Sequence, residues 1–118
     1  MAASAGATPI AVVAAALEAA ATLLQENREF AQRRSNAIST NNELQERELI
    51  KLASLAVAIA EALRARGVRE PTASLTAEAG IAIFKVAFER WTAESNLQEF
   101  PELIRDSLGE LRALTADH

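Results

Sequence analysis

The chain has 118 residues, the size of one domain, and carries 12 lysines and arginines against 16 aspartates and glutamates, a formal charge of -4. That balance argues against a nucleic-acid surface, which needs clustered positive charge. Half of the residues are hydrophobic, only 4% are aromatic, and tyrosine and cysteine are absent, which excludes a disulfide framework and a thiolate zinc site. Abundant alanine, the best helix former, makes an all-α domain without metal or other cofactor the expectation, in the reducing cytoplasm.

Residues 1–7 are expected to be a disordered lead-in, 8–115 the folded domain and 116–118 a tail. The start, MAASAGATPIAVVAAALEAAATLL, has one charged residue, Glu18. It lacks the basic n-region of a signal peptide, and its apolar run from Pro9 to Leu24 is shorter than the roughly 20 residues that span a membrane. The reading is a largely buried helix of a soluble protein with no membrane partner.

Thr8-Pro9 is a helix-start signal: threonine caps free amides, and proline at the first helical position loses no hydrogen bond. Helix one is predicted from Pro9 to about Gln25. In ENREFAQRRSNAIST, Phe30, Ala31, Ala37 and Ile38 fit a short amphipathic second helix, ending in the turn cluster Ser39 to Asn42. Helix three is expected from Asn42, as cap with Gln45 in the capping-box position, to Arg66, with Gly67 just beyond and Arg64 and Arg66 in the last turn. Its seam reads Leu49, Leu52, Ala53, Ala56, Ile59, Ala60 and Leu63. The charge-free stretch LASLAVAIA, residues 52–60, predicts protein on all sides.

After the linker GVREPTAS, helix four is predicted from Thr72 or Leu75 to Glu94. Helix five follows over Pro101 to Leu114, with Leu97, Phe100, Ile104, Leu108 and Leu111 on one side. Within helix four, GIAIFKVAFERW has an apolar side chain at eight of twelve positions. At about 100° per residue, Glu78, Lys85 and Glu89 share one wet sector. Trp91, Phe84, Phe88 and Ile81 fall on one flank, and Ile83, Val86 and Ala79 on another. Two apolar surfaces imply two neighbours. One is the chain's own core, and the other is either more of this chain, with helix four central in a monomer, or a second copy. Leu103 and Leu114 widen the stripe of helix five in the same way. The expected architecture is therefore a five-helix bundle whose helices four and five pair with a second subunit in an intersubunit four-helix bundle. Candidate interface residues are Ala79, Gly80, Ile83, Val86, Ala87, Ile104, Leu108 and Leu111. Glycine within a helix usually marks close approach of another backbone, which makes Gly80 informative.

The segments NNELQERELIKLASLAVAIAEALRARG, LTAEAGIAIFKVAFERWTAE and LQEFPELIRDSLGELRAL resemble the carboxy-terminal region of TetR-family transcriptional repressors, in the branch similar to acyl-CoA-responsive and mycofactocin-type regulators. The resemblance rests on Asn41 to Leu44, Ala77 to Trp91 and Leu97 to Leu111, and covers about Thr8 to Leu114. It implies a homodimerising domain that holds a small hydrophobic or acyl-type effector and releases operator DNA through an amino-terminal helix-turn-helix. No helix-turn-helix precedes Thr8 here, so this chain alone is not expected to bind an operator. In such a domain helices one to four line the pocket, with Phe30, Ile38, Leu55, Ile59, Phe84 and Phe88 as bulky inward candidates and Arg34 as an anionic-group anchor. Each apolar candidate reads first as core packing, and Arg34 first as part of a solvated basic patch near a helix end, with ligand contact the second reading. Enzyme activity finds no support, since the single histidine is the last residue, His118, and no thiol or phenol is available. The competing class is a structural helical module that meets another protein.

Overall fold

A computed structural model describes residues 7–116. Within them the chain forms five α-helices: α1 (Pro9–Leu24), α2 (Arg28–Ser39), α3 (Asn42–Ala65), α4 (Thr72–Thr92) and α5 (Phe100–Thr115). A single 3-10 turn, Gln25–Asn27, joins α1 to α2. The expected lead-in over residues 1–6 and the tail residues 117–118, with His118, lie outside the described residues.

Local chemistry sets most helix ends. Thr8 Oγ1 accepts the Ala11 amide at 3.3 Å, and Pro9 occupies the first turn. At the end of α3, Gly67 adopts φ +96. Its amide donates to the Arg64 carbonyl at 2.9 Å and the Val68 amide to the Leu63 carbonyl at 2.9 Å, the reciprocal pair that closes a helix on a left-handed glycine. The start of α3 differs by one residue from expectation. Asn41 is the cap, its side chain accepting from the Leu44 amide at 3.1 Å, and Gln45 donates to the Ser39 carbonyl at 3.0 Å instead of closing a capping box. At the start of α4 no side chain caps from position 71. The Glu70 carboxylate accepts from the Ser74 hydroxyl and amide, both at 3.0 Å, and pairs with Arg64. These donors, Ser74 first, hold its carboxyl below the usual range. Helix four ends at Thr92, short of Glu94, because Ala93 turns to an extended conformation.

Helix α4 is the hub, packing on α1, α3, α5 and α2. It buries Ala73, Thr76, Ala77, Gly80, Ile81, Ile83, Ala87 and Trp91 within this one chain, so both of its apolar flanks are met largely by intrachain neighbours. The core closes around Trp91, Phe100, Leu103 and Ile104, each 1% exposed or less. Trp91 stacks on Phe100 with ring centroids 4.4 Å apart. Helix α1 contributes Val13, Ala14, Leu17 and Ala21. The segment Pro9–Ser39 passes a length-and-hydropathy test for a membrane span; α1 packs these four residues on protein but is not the largely buried helix expected, since Ala15, Ala16, Ala19, Ala20 and Leu23 on its outer side are exposed and no other helix covers them.

Two further expectations about burial are corrected. The charge-free stretch of α3 is covered on one side only. Ala56, Ala60 and Leu63 are buried, whereas Val57 is 57% exposed, and Leu49, Ala53 and Leu55 are also exposed. The reason is placement: α3 packs chiefly on α4 and α2, and absence of charge does not create neighbours. Leu97 precedes α5 and is exposed rather than part of its apolar side.

The close approach signalled by Gly80 comes from a side chain: a Cβ there would lie 2.7 Å from Val13 Cγ1. Gly80→Ala should therefore lose about 1 kcal/mol of stability, overpacking outweighing helix propensity. Gly109→Ala, with nothing within 4 Å of the added atom, should gain about 0.5–1 kcal/mol. Urea midpoints of the two variants check this pair, and equal gains for both would show the α1–α4 contact to be loose.

Candidate functional site

Helices α2, α3 and α4 enclose a groove of about 310 Å³. Its floor is aromatic and aliphatic. Phe84 and Phe88, one turn apart on α4, stack with centroids at 5.9 Å, and Leu52 and Ile38 face them from α3 and α2. Its rim is charged, with Arg34 and Ser35 on α2, Glu48 on α3, and Lys85 and Glu89 on α4. Arg34 Nη2 donates to Glu48 Oε1 at 2.9 Å, and Lys51 Nζ lies 3.8 Å from the same oxygen. A second depression of about 260 Å³ shares Arg34, Ile38 and Glu48 with the first and adds Arg47, Lys51 and Leu44. The two spaces adjoin, sharing the Arg34–Glu48 pair, and the second sets the cations Arg34, Arg47 and Lys51 around a partly apolar lining.

The floor is wired to the core. Phe84 and Phe88 lie 5.8 and 5.9 Å from Phe100, and Phe88 meets Trp91 edge-on at 5.8 Å. Both phenylalanines of the groove floor are thus in direct ring contact with α5 through Phe100.

Helix α2, one wall of the groove, is attached mainly by polar contacts. None of its residues is buried, and it follows a 3-10 turn, a geometry that often marks a hinge. Arg28 holds its start. Nε donates to the Trp91 carbonyl at 2.9 Å, and Nη2 donates to those of Ala93 at 2.7 Å and Asn96 at 3.3 Å. Gln32 donates to the Thr92 carbonyl at 3.1 Å. Gln25, in the preceding 3-10 turn, accepts the Phe100 amide at 2.6 Å. The bonds from Arg28 and Gln32 satisfy carbonyls that the end of α4 leaves free and bind α2 to the α4–α5 turn.

Of the seven ligand candidates, the structure gathers Arg34, Ile38, Phe84 and Phe88 in the groove. Ile59 packs against the core below it. Phe30, 62% exposed, and Leu55, 39% exposed, point elsewhere, because α2 and α3 each turn one narrow face inward. The sequence does not mark the rim residues Glu48, Lys85 and Glu89 as ligand contacts. Lys85 and Glu89 read as a wet sector on the helical wheel, and only the α2 wall turns that sector into a rim.

Of the interface candidates, Ile83, Val86 and Leu111 line an apolar crevice of about 220 Å³ between α4 and α5, together with Leu114. Ala79 is half-buried, and Leu108 packs on the core. Gly80, Ala87 and Ile104 are buried within the subunit, Ala87 and Ile104 with no exposed surface.

Residues 7–116 match the family model described as the MftR C-terminal domain, a TetR-type carboxy-terminal domain. Among curated proteins none matches the chain.

Proposed function

The chain belongs to the TetR-family carboxy-terminal domains, which typically dimerise and bind effectors, and from that premise we propose that it is the effector-binding and dimerisation domain of a cytoplasmic repressor. A small hydrophobic or acyl-type ligand occupies the α2–α3–α4 groove, and operator DNA is released through a helix-turn-helix carried outside this chain. The observation that carries the proposal is the paired groove, an apolar floor of Phe84 and Phe88 beside a depression bearing the cations Arg34, Arg47 and Lys51. An acyl-CoA has the same division, an apolar acyl chain and a head made anionic by its phosphates. The ligand acts only by the difference between its affinities for two arrangements of the bundle, and the ring contacts from Phe84 and Phe88 to Phe100 and Trp91 join the groove floor to the core between α4 and α5.

The test is thermal denaturation of the purified domain with decanoyl-CoA, alongside native mass spectrometry for a retained acyl thioester. At a hundredfold excess over Kd the ligand should stabilise the domain by about 2.7 kcal/mol. Phe84→Ala and Arg34→Ala should each weaken binding about tenfold or more. No shift with decanoyl-CoA or decanoate, and no retained ligand, would favour a helical interaction module that takes no small molecule.

A further inference from the structure

We infer that the α4–α5 crevice receives a second copy of this chain in a single register, fixed by reciprocal ion pairs between Arg90 of each subunit and Glu110 of the partner subunit. The inference rests on the dimer proposed above and adds the polar contacts that choose its geometry.

Leu75, Ala79, Ala82 and Val86 run along α4 at spacings of four, three and four, the repeat of a helix seam that meets other helices. Arg90 continues it by one turn. Leu75 is 66% and Val86 49% exposed, and on α5 Leu114 is 80% exposed. The crevice between these stripes has one cation and one anion in its lining, Arg90 on α4 and Glu110 on α5. Among the described residues neither forms an ion pair within the subunit.

On α5, in the lining of the same crevice, is Ser107, 7% exposed, whose Oγ has no hydrogen-bond partner. Three other helical hydroxyls, Thr22, Thr92 and Thr115, bond back to their own helix at 2.9 Å. Ser107 does not, which leaves a buried polar atom in the lining of the crevice. Such an atom is costly unless something reaches it.

A two-fold interface must be complementary to itself, because the same patch is presented by both sides. A patch with one cation, one anion and an apolar strip meets that condition. Rotation sets each Arg90 against Glu110 of the partner subunit, apolar strip against apolar strip. Sliding the helices by one turn would separate the charges while leaving apolar contact possible, so the ion pairs discriminate between registers more than they add affinity.

Charge reversal tests this. Wild type, Arg90→Glu, Glu110→Arg and an equimolar mixture of the two variants are compared by light scattering at one micromolar-range concentration and by native mass spectrometry. In either variant both symmetry-related pairs become repulsive, so each alone should dimerise about tenfold or more weakly than wild type. In the mixture, the carboxylate introduced at position 90 of one chain meets the guanidinium introduced at position 110 of the other, and the second pair keeps its native Arg90 and Glu110. Both pairs are again attractive, so a heterodimer should form at near wild-type strength. That recovery also shows that both variants are folded. Wild-type dimers with variants equally dimeric, or a mixture that stays monomeric, would overturn the register while leaving the dimer. A monomeric wild type would overturn the dimer itself.

Discussion

Trp91→Ala is expected to cost about 4 kcal/mol of unfolding free energy, the range for removing a large buried aromatic. Trp91 is 1% exposed. It stacks on Phe100 at 4.4 Å and takes the edge of Phe88 at 5.8 Å. Its removal leaves a void where α4 turns toward α5. A domain of this size has a total stability of only about 5–15 kcal/mol, so the variant should be marginal at 37 °C. Trp91→Phe makes the comparison informative. The indole Nε1 is buried without a hydrogen-bond partner, so phenylalanine loses packing volume but relieves an unpaired polar group and should cost about 1–2 kcal/mol. Because this is the only tryptophan, unfolding must be followed by far-UV circular dichroism in urea. A cost for Trp91→Ala below about 1.5 kcal/mol would mean that the core does not close around this side chain.

Arg28→Ala should cost about 1–2 kcal/mol, since hydrogen bonds from a charged donor are worth more than neutral ones; the Asn96 carbonyl loses its donor, while those of Trp91 and Ala93 keep the Asn96 side-chain and backbone amides at 3.2 and 3.0 Å. The three acceptors, Trp91, Ala93 and Asn96, come from the end of α4 and the turn beyond it. Lysine at this position should recover little, because a point charge cannot reproduce the planar fork. The loss should also be local at first. With no buried residue to retain it, α2 should exchange its amide hydrogens much faster in the variant, while the α1 and α5 amides keep most of their protection. An Arg28→Lys protein as stable as wild type would show that positive charge near the end of α4 suffices. Uniform loss of protection across all five helices would show that α2 is not a separable wall.

Much of the fold was legible because helix signals are local. The Thr8-Pro9 start and the Gly67 stop depend on residues within one turn of themselves, and both stand where the sequence placed them. The cap of α3 moved from Asn42 to Asn41 because two adjacent asparagines offer the same chemistry and only the path of the preceding turn chooses between them. Phe84 and Phe88 were readable as neighbours, being four residues apart on a helix. Arg34 and Ile38 joined them on chemical character, one charged and one bulky.

What composition and periodicity determined, then, is the number and type of helices, most of their ends, and the apolar excess of α4, since each follows from interactions spanning a few residues. The tertiary structure alone decided that α3 leaves Val57 in water, that Lys85 and Glu89 become the rim of a groove, and that Arg28 reaches carbonyls 63 to 68 positions away. Burial and long-range hydrogen bonding are properties of neighbours, and neighbours are set by how five helices share one core, which no single stretch of chain encodes.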